Sequence, residues 1–164
     1  MALPLIKVRF ELDANDWHSA TAERLWAEPL AGVEQPVFRL QNSPFYALGI
    51  AYLDIVEAIP DEDPQTYAFK AVVERSGHST YMLLLKEHDS LGASYWERLA
   101  SVGCSYESTR MASAIGPRLL YSVDVPATTN LQEVYLILKQ GEGDGAWLFQ
   151  EGYAHIKPSW EDQS

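Results

Sequence analysis

Apolar residues recur at every second position through much of residues 1–88, and at helical spacing in two stretches of the remainder. This change of period constrains the fold more than any other feature. Alternation over a short run makes a strand with one buried face. Helices inserted between strands must bury their apolar stripes against a sheet. In residues 6–12, Ile6, Val8, Phe10 and Leu12 fall on one side and Lys7, Arg9 and Glu11 on the other, which makes a half-buried strand. Residues 19–28 have helix-forming content (Ala20, Ala22, Leu25, Trp26), and Pro29 stops the run, so a helix is expected there. Residues 37–40 are a second strand, followed by the turn signal Asn42-Ser43-Pro44. Residues 45–59 are apolar and β-rich, and Gly49 divides them into one or two strands meeting at a bend. Residues 66–74 and 80–86 flank Ser76-Gly77-His78 and are expected to pair as a hairpin.

The second half mixes both periods. Leu91, Tyr95, Leu99 and Val102 form a helical stripe, with Ser90 able to cap its start and Gly103 to end it. Residues 104–111 and 118–125 are strand-like, the second more strongly, through Leu119, Tyr121, Val123 and Val125. Thr129 or Asn130 caps a helix from 131 to about 139. Residues 146–156 form a last strand, with Trp147 and Phe149 on one side. From residue 80 onward the order is β-α-β-β-α-β, the split, ferredoxin-like pattern. The expected fold class is therefore α+β. A small β-barrel or bent antiparallel sheet over residues 1–79 is followed by a ferredoxin-like half over 80–164, the two forming one compact unit.

Charge narrows the function classes. The chain has 164 residues and a formal net charge of −11. Residues 1–88 carry thirteen acids against seven bases, and residues 89–164 ten against five, so the acidity is not confined to a tail. Nucleic-acid affinity comes from neutralising phosphates with Lys and Arg, and only twelve are present, without a run. Nucleic acid and anionic membrane surfaces are disfavoured as partners, and a basic protein partner fits. A single cysteine, Cys104, excludes an intrachain disulfide and a cysteine zinc site, and is expected to be a small buried apolar residue. The opening Met1-Ala2-Leu3-Pro4-Leu5-Ile6 is too short for a signal-peptide core, and no stretch approaches a membrane span, so a cytoplasmic location is expected.

The chemistry-bearing stretches are few. Ser76-Gly77-His78-Ser79-Thr80 gathers hydroxyls and an imidazole beside a glycine, which suits either a nucleophile–base pair or turn hydrogen bonding. Asp54 lies between Leu53 and Ile55, and a buried acid there needs a partner. Asp61, Glu62 and Asp63 stand between Pro60 and Pro64 as an exposed acidic loop. The histidines 18, 78, 88 and 155 never fall at metal-ligand spacing. Gly141-Glu142-Gly143-Asp144-Gly145-Ala146 satisfies a dinucleotide-binding pattern in letters. It follows a helix where that motif must follow a strand, and two acids would repel a pyrophosphate. It is expected to end the helix, and neither metal nor cofactor is expected. Of the tryptophans, Trp26, Trp96 and Trp147 are expected in the core, and Trp17 and Trp160, beside polar neighbours, are candidate exposed anchors.

The chain resembles an uncharacterised bacterial family built on a domain of unknown function. The resemblance rests on Val8-Arg9-Phe10, on Leu25-Trp26-Ala27-Glu28-Pro29-Leu30, and on the run from Arg39 to Ala47. Further matches are Gly49-Ile50-Ala51, Asp54-Ile55-Val56-Glu57-Ala58 and Ser76-Gly77-His78-Ser79-Thr80, then Val123-Asp124-Val125-Pro126 and the glycine-rich stretch before Trp147. This chain carries Tyr52-Leu53 where the family tends to have a glycine. The resemblance implies a bacterial source and no established activity, and it transfers no catalytic residue.

These readings converge on a small acidic protein-binding module and, within that class, an immunity protein that neutralises a cognate toxin through charge complementarity. The binding residues expected are Trp17, Asn42, Asp54, Asp61, Glu62, Asp63, Ser76 and His78. The alternative is a small hydrolase-type enzyme with a polar site around Asn42, Asp54, Ser76 and His78.

Overall fold

A computed structural model describes residues 4–31, 36–112 and 116–156. In the first half, Val8 and Phe10 alternate with Lys7 and Arg9 along β1 (Ile6–Glu11), as the period requires. The expected helix over residues 19–28 is instead a strand, β2 (Ala22–Pro29). Its buried positions, Glu23, Leu25 and Ala27, alternate with Arg24, Trp26 and Glu28, a period-two pattern that outweighs helix propensity once β1 is there to pair with. Trp26 consequently lies on the outer face, 46 % exposed and beneath Lys7 Nζ, not in the core. Strands β3 (Val37–Leu40), β4 (Ile55–Pro60) and β5 (Thr66–Glu74) continue the antiparallel sheet, and β5 runs parallel to β1 to close a five-stranded barrel. Val8, Phe10, Leu25, Phe38, Leu40 and Val56 fill it.

Only the end of residues 45–59 is a strand. Residues 45–54 form an ordered loop without ladder pairing. Leu53 has φ of 69°, the left-handed region that a glycine occupies at less cost. Leu53 belongs to the Tyr52-Leu53 pair where the resemblance implies a glycine, and its N–H bond to the Leu40 carbonyl at 3.0 Å helps hold it.

The expected hairpin of residues 66–74 and 80–86 does not form either. Strand β5 belongs to the barrel, while β6 (Ser79–Lys86) lies at the centre of a second sheet. Gly77, at φ +94°, turns the chain from one to the other, and its missing Cβ would stand 2.9 Å from Ala127 Cβ. The rest is α1 (Ser90–Ser101), β7 (Ser105–Met111), β8 (Arg118–Val125), α2 (Leu131–Gly143) and β9 (Leu148–Tyr153). Sheet order is β7-β8-β6-β9 with every pair antiparallel, the ferredoxin-like arrangement expected. Asp89 caps α1, one residue before the expected Ser90, and Asn130 caps α2 by accepting from Gln132 and Glu133 N–H.

One face of this sheet buries Tyr81, Leu83 and Val123 against Leu99, Val134 and Leu138 of the helices. Its other face meets the barrel side. Thr80 Oγ1 donates to the Ile50 carbonyl at 3.1 Å, Ser122 Oγ to the Pro44 carbonyl at 2.6 Å, and Gly49 N–H to the Gly152 carbonyl at 2.9 Å.

Candidate functional site

The loop before β4 is organised by one carboxylate. Asp54 is fully buried. Its Oδ1 accepts from Ser76 N–H at 2.9 Å, and its Oδ2 accepts from Ala51 N–H at 3.0 Å and Arg75 Nη1 at 3.1 Å. Arg75 also donates to the Gly49 carbonyl at 2.7 Å and sits 3.9 Å over the Tyr153 ring. Three segments distant in sequence, residues 49–54, 75–76 and β9, are thereby tied together. The buried acid has the partner its surroundings demand and leaves no face open to a substrate.

Ser76 extends this scaffold. Its hydroxyl donates to the Tyr52 carbonyl at 2.7 Å and accepts from His78 N–H at 3.1 Å. The hydroxyl is thus engaged by backbone and is not bonded to the imidazole, as an activated nucleophile requires. The imidazole turns to another partner: His78 Nδ1 lies 2.7 Å from Asp124 Oδ1 on β8, with the Tyr52 ring edge-on at 5.4 Å between centroids. Burial pushes the Asp124 carboxyl above the ordinary carboxylate range, and the hydrogen bond and charge of His78 offset only part of this.

Asp124 opens onto a cleft of about 310 Å³ between the barrel-side loops and the second sheet, lined also by Gln41, Ser43, Tyr52, Ser105 and Glu107. Asn42 borders it. Its Oδ1 accepts from Trp26 N–H at 3.0 Å, and its Nδ2 donates to Glu107 Oε1 at 3.3 Å. Residues 42–45 and 76–80 therefore flank one cleft, Asn42 and His78 at its border, with Asp54 and Ser76 behind as its support. A second buried carboxylate holds the loop that follows Asn42. Glu23 on β2 accepts from Phe45, Tyr46 and Ala47 N–H at 2.6, 3.1 and 2.9 Å.

Trp17 stands apart from this cleft. It is 44 % exposed on the β1–β2 loop and walls an apolar trough of about 200 Å³ on the open end of the second sheet, over Met82, Leu84, Leu120 and Leu148. Tyr46 and His18 pack against its neighbourhood, with Trp17–Tyr46 centroids at 5.9 Å. The acidic loop is less free than its composition implies. Asp61 Oδ2 accepts from Arg9 Nε at 2.6 Å, and Asp63 lies 3.5 Å from Arg24 Nη2. Arg9 holds the Asp61 carboxyl below its usual range. Of the three acids, Glu62 alone has no ion pair among the described residues. Trp160 lies outside them. Among the described residues no three His, Cys, Asp or Glu side chains group to hold a metal ion, and no helix is long and apolar enough to cross a membrane.

Sequence reasoning missed Asp124, Glu107 and Glu23 as site residues. A signal for the first was present. Leu119, Tyr121, Val123 and Val125 share one face of β8, so Ser122 and Asp124 must share the other, and two polar residues inside the most apolar strand mark a face covered by something polar.

A closed five-stranded barrel joined to a four-stranded antiparallel sheet with two helices defines an α+β protein with two sheets and a polar cleft between them. Residues 23–149 match the family described as a domain of unknown function, DUF4265, and the chain belongs to that family. The same fold is seen in a solved structure of a hypothetical protein from Neisseria gonorrhoeae, with a TM-score of 0.70 over 96 % of this chain and 100 % of that one, at 15 % identity. No curated protein matches the chain.

Proposed function

We propose that this protein is a binding module for a basic protein partner, of the kind exemplified by immunity proteins that neutralise a toxin domain. The observation that carries the reading is the apolar trough beside the exposed Trp17. Exposed tryptophans over apolar depressions are frequent energetic anchors of protein interfaces. The loop presenting Trp17 also carries Asp13 and Asp16, and the chain as a whole is at −11, so an apolar anchor sits inside a field that attracts cationic surfaces. The hydrolase reading draws support from the His78–Asp124 pair alone, because the Ser76 hydroxyl is engaged by Tyr52 and His78 backbone groups.

The test is association kinetics against ionic strength with a basic toxin domain as candidate partner. The screening length falls from roughly 10 Å at 0.1 M salt to about 3 Å at 1 M, so the on-rate should drop by about one or more powers of ten. Trp17→Ala should chiefly raise the off-rate. An on-rate flat across that range, together with an unchanged off-rate in the variant, removes the reading.

A further inference from the structure

The cleft between the barrel-side loops and the second sheet has an unbalanced chemistry. Ser105 pairs with Asp124 and Glu107 with Ser122 across β7 and β8, which places both carboxylates on the sheet face turned toward the barrel side. Diagonal side chains on such a face stand roughly 7–8 Å apart. No Lys or Arg is among the residues lining the cleft. Asp124 gives one oxygen to His78, and its other oxygen has no hydrogen bond among the described residues although the side chain is only 14 % exposed. Glu107 likewise engages one oxygen, with Asn42. Around them stand the neutral polar groups of Gln41, Ser43, Ser105 and Ser122 and the rings of Tyr52 and Tyr106. The only charged residues of the lining are therefore two carboxylates, each with one oxygen that makes no hydrogen bond to protein among the described residues, and an aromatic ring lies alongside.

We infer that this cleft is a pocket for one guanidinium group, supplied by an arginine side chain of the protein partner. The source rests on the binding-module reading; the chemistry of the pocket does not. A guanidinium is flat, carries five donors in a fixed plane and is weakly hydrated, so it can serve two separated carboxylates while lying against a ring. A lysine ammonium is a compact, strongly hydrated point charge and reaches such spread acceptors less well. A metal ion is disfavoured because no three ligating side chains group here among the described residues.

The probe is Nα-acetylarginine methylamide, compared with its lysine counterpart and with neutral, near-isosteric Nα-acetylcitrulline methylamide. The readout is amide and imidazole chemical shifts. Saturable shifts confined to His78, Ser105, Glu107 and Asp124 are expected with the arginine probe. Binding of the lysine probe should be several-fold weaker, and that of citrulline absent. Asp124→Asn should weaken arginine binding about tenfold, the loss expected for one charge-assisted hydrogen bond. Glu107→Gln, at an exposed position that cannot threaten the fold, should weaken it by a smaller factor. Equal shifts with arginine and citrulline, or no change in either variant, overturns the pocket. The two readings also separate. If a protein partner binds Asp124→Asn and Glu107→Gln as tightly as the wild type while Trp17→Ala weakens it, the pocket assignment fails and the binding module stands. If the arginine probe binds and no protein partner does, the guanidinium comes from a small molecule and the partner source is wrong.

Discussion

Replacing Asp54 by alanine tests whether the loop before β4 is held by its carboxylate. The side chain is fully buried and accepts three hydrogen bonds, from Ala51 N–H, Ser76 N–H and Arg75 Nη1. A hydrogen bond to a charged group contributes about 1.5–3 kcal/mol, and a buried donor left unsatisfied costs about 1–3 kcal/mol. Ala51 is itself fully buried, so its N–H regains no water in the variant. The guanidinium is different. Arg75 is 33 % exposed and keeps the Gly49 carbonyl and the Tyr153 ring, so its share must be discounted for solvent. The two backbone donors dominate, and Asp54→Ala should cost about 3–5 kcal/mol. That is a large part of the ~5–15 kcal/mol available to a domain. Asp54→Asn retains one acceptor oxygen but turns an NH₂ toward a donor, for a loss of about 2–3 kcal/mol, and Arg75→Met, which leaves the buried carboxylate without its counter-charge, should cost about as much. Urea denaturation of the three variants, with the slope checked for two-state behaviour, measures all three. A loss below about 1 kcal/mol for Asp54→Ala would refute the assignment. Full stability with lost biological activity would instead mark Asp54 as a functional acid.

Three titrating groups give further tests. The Asp61 carboxyl is held below its usual 3.8 by Arg9, so its contribution is present above the unfolded value and lost as pH falls through the lower folded one; Arg9→Gln should flatten that acid-side loss in a urea series. Asp124 has the opposite sign: its raised folded value means that stability declines as pH rises from 3.8 to that value, and Asp124→Asn should abolish this component. Burial pushes the Cys104 thiol up to about 12, so a thiol reagent at neutral pH should label the protein only in denaturant, and labelling of the native state would place the side chain outside the core.

The sequence by itself determined most element types and the α+β class, because local hydrophobic period survives into any packed structure. Alternation along residues 6–12 and 118–125 and the stripes of Leu91, Tyr95, Leu99 and of Val134, Ile137, Leu138 each fix a face that must be buried. It also picked out Asp54 as an acid in need of partners, since its apolar neighbours are adjacent in the chain. Tertiary structure decided where local preference and long-range pairing disagreed. Residues 22–29 are helix-compatible in content, yet pairing with β1 and β3 makes them a strand and turns Trp26 outward. Residues 66–74 and 79–86 are adjacent strands that sequence would pair, yet barrel closure by β1 takes the first and β8 with β9 takes the second. The sequence grouped Asn42, Asp54, Ser76 and His78 as one polar region, but the residues of the second sheet that meet them could not be read from the chain. His78 meets Asp124 across 46 positions and Asn42 meets Glu107 across 65, and contacts of that separation depend on how two sheets pack, which no local pattern encodes.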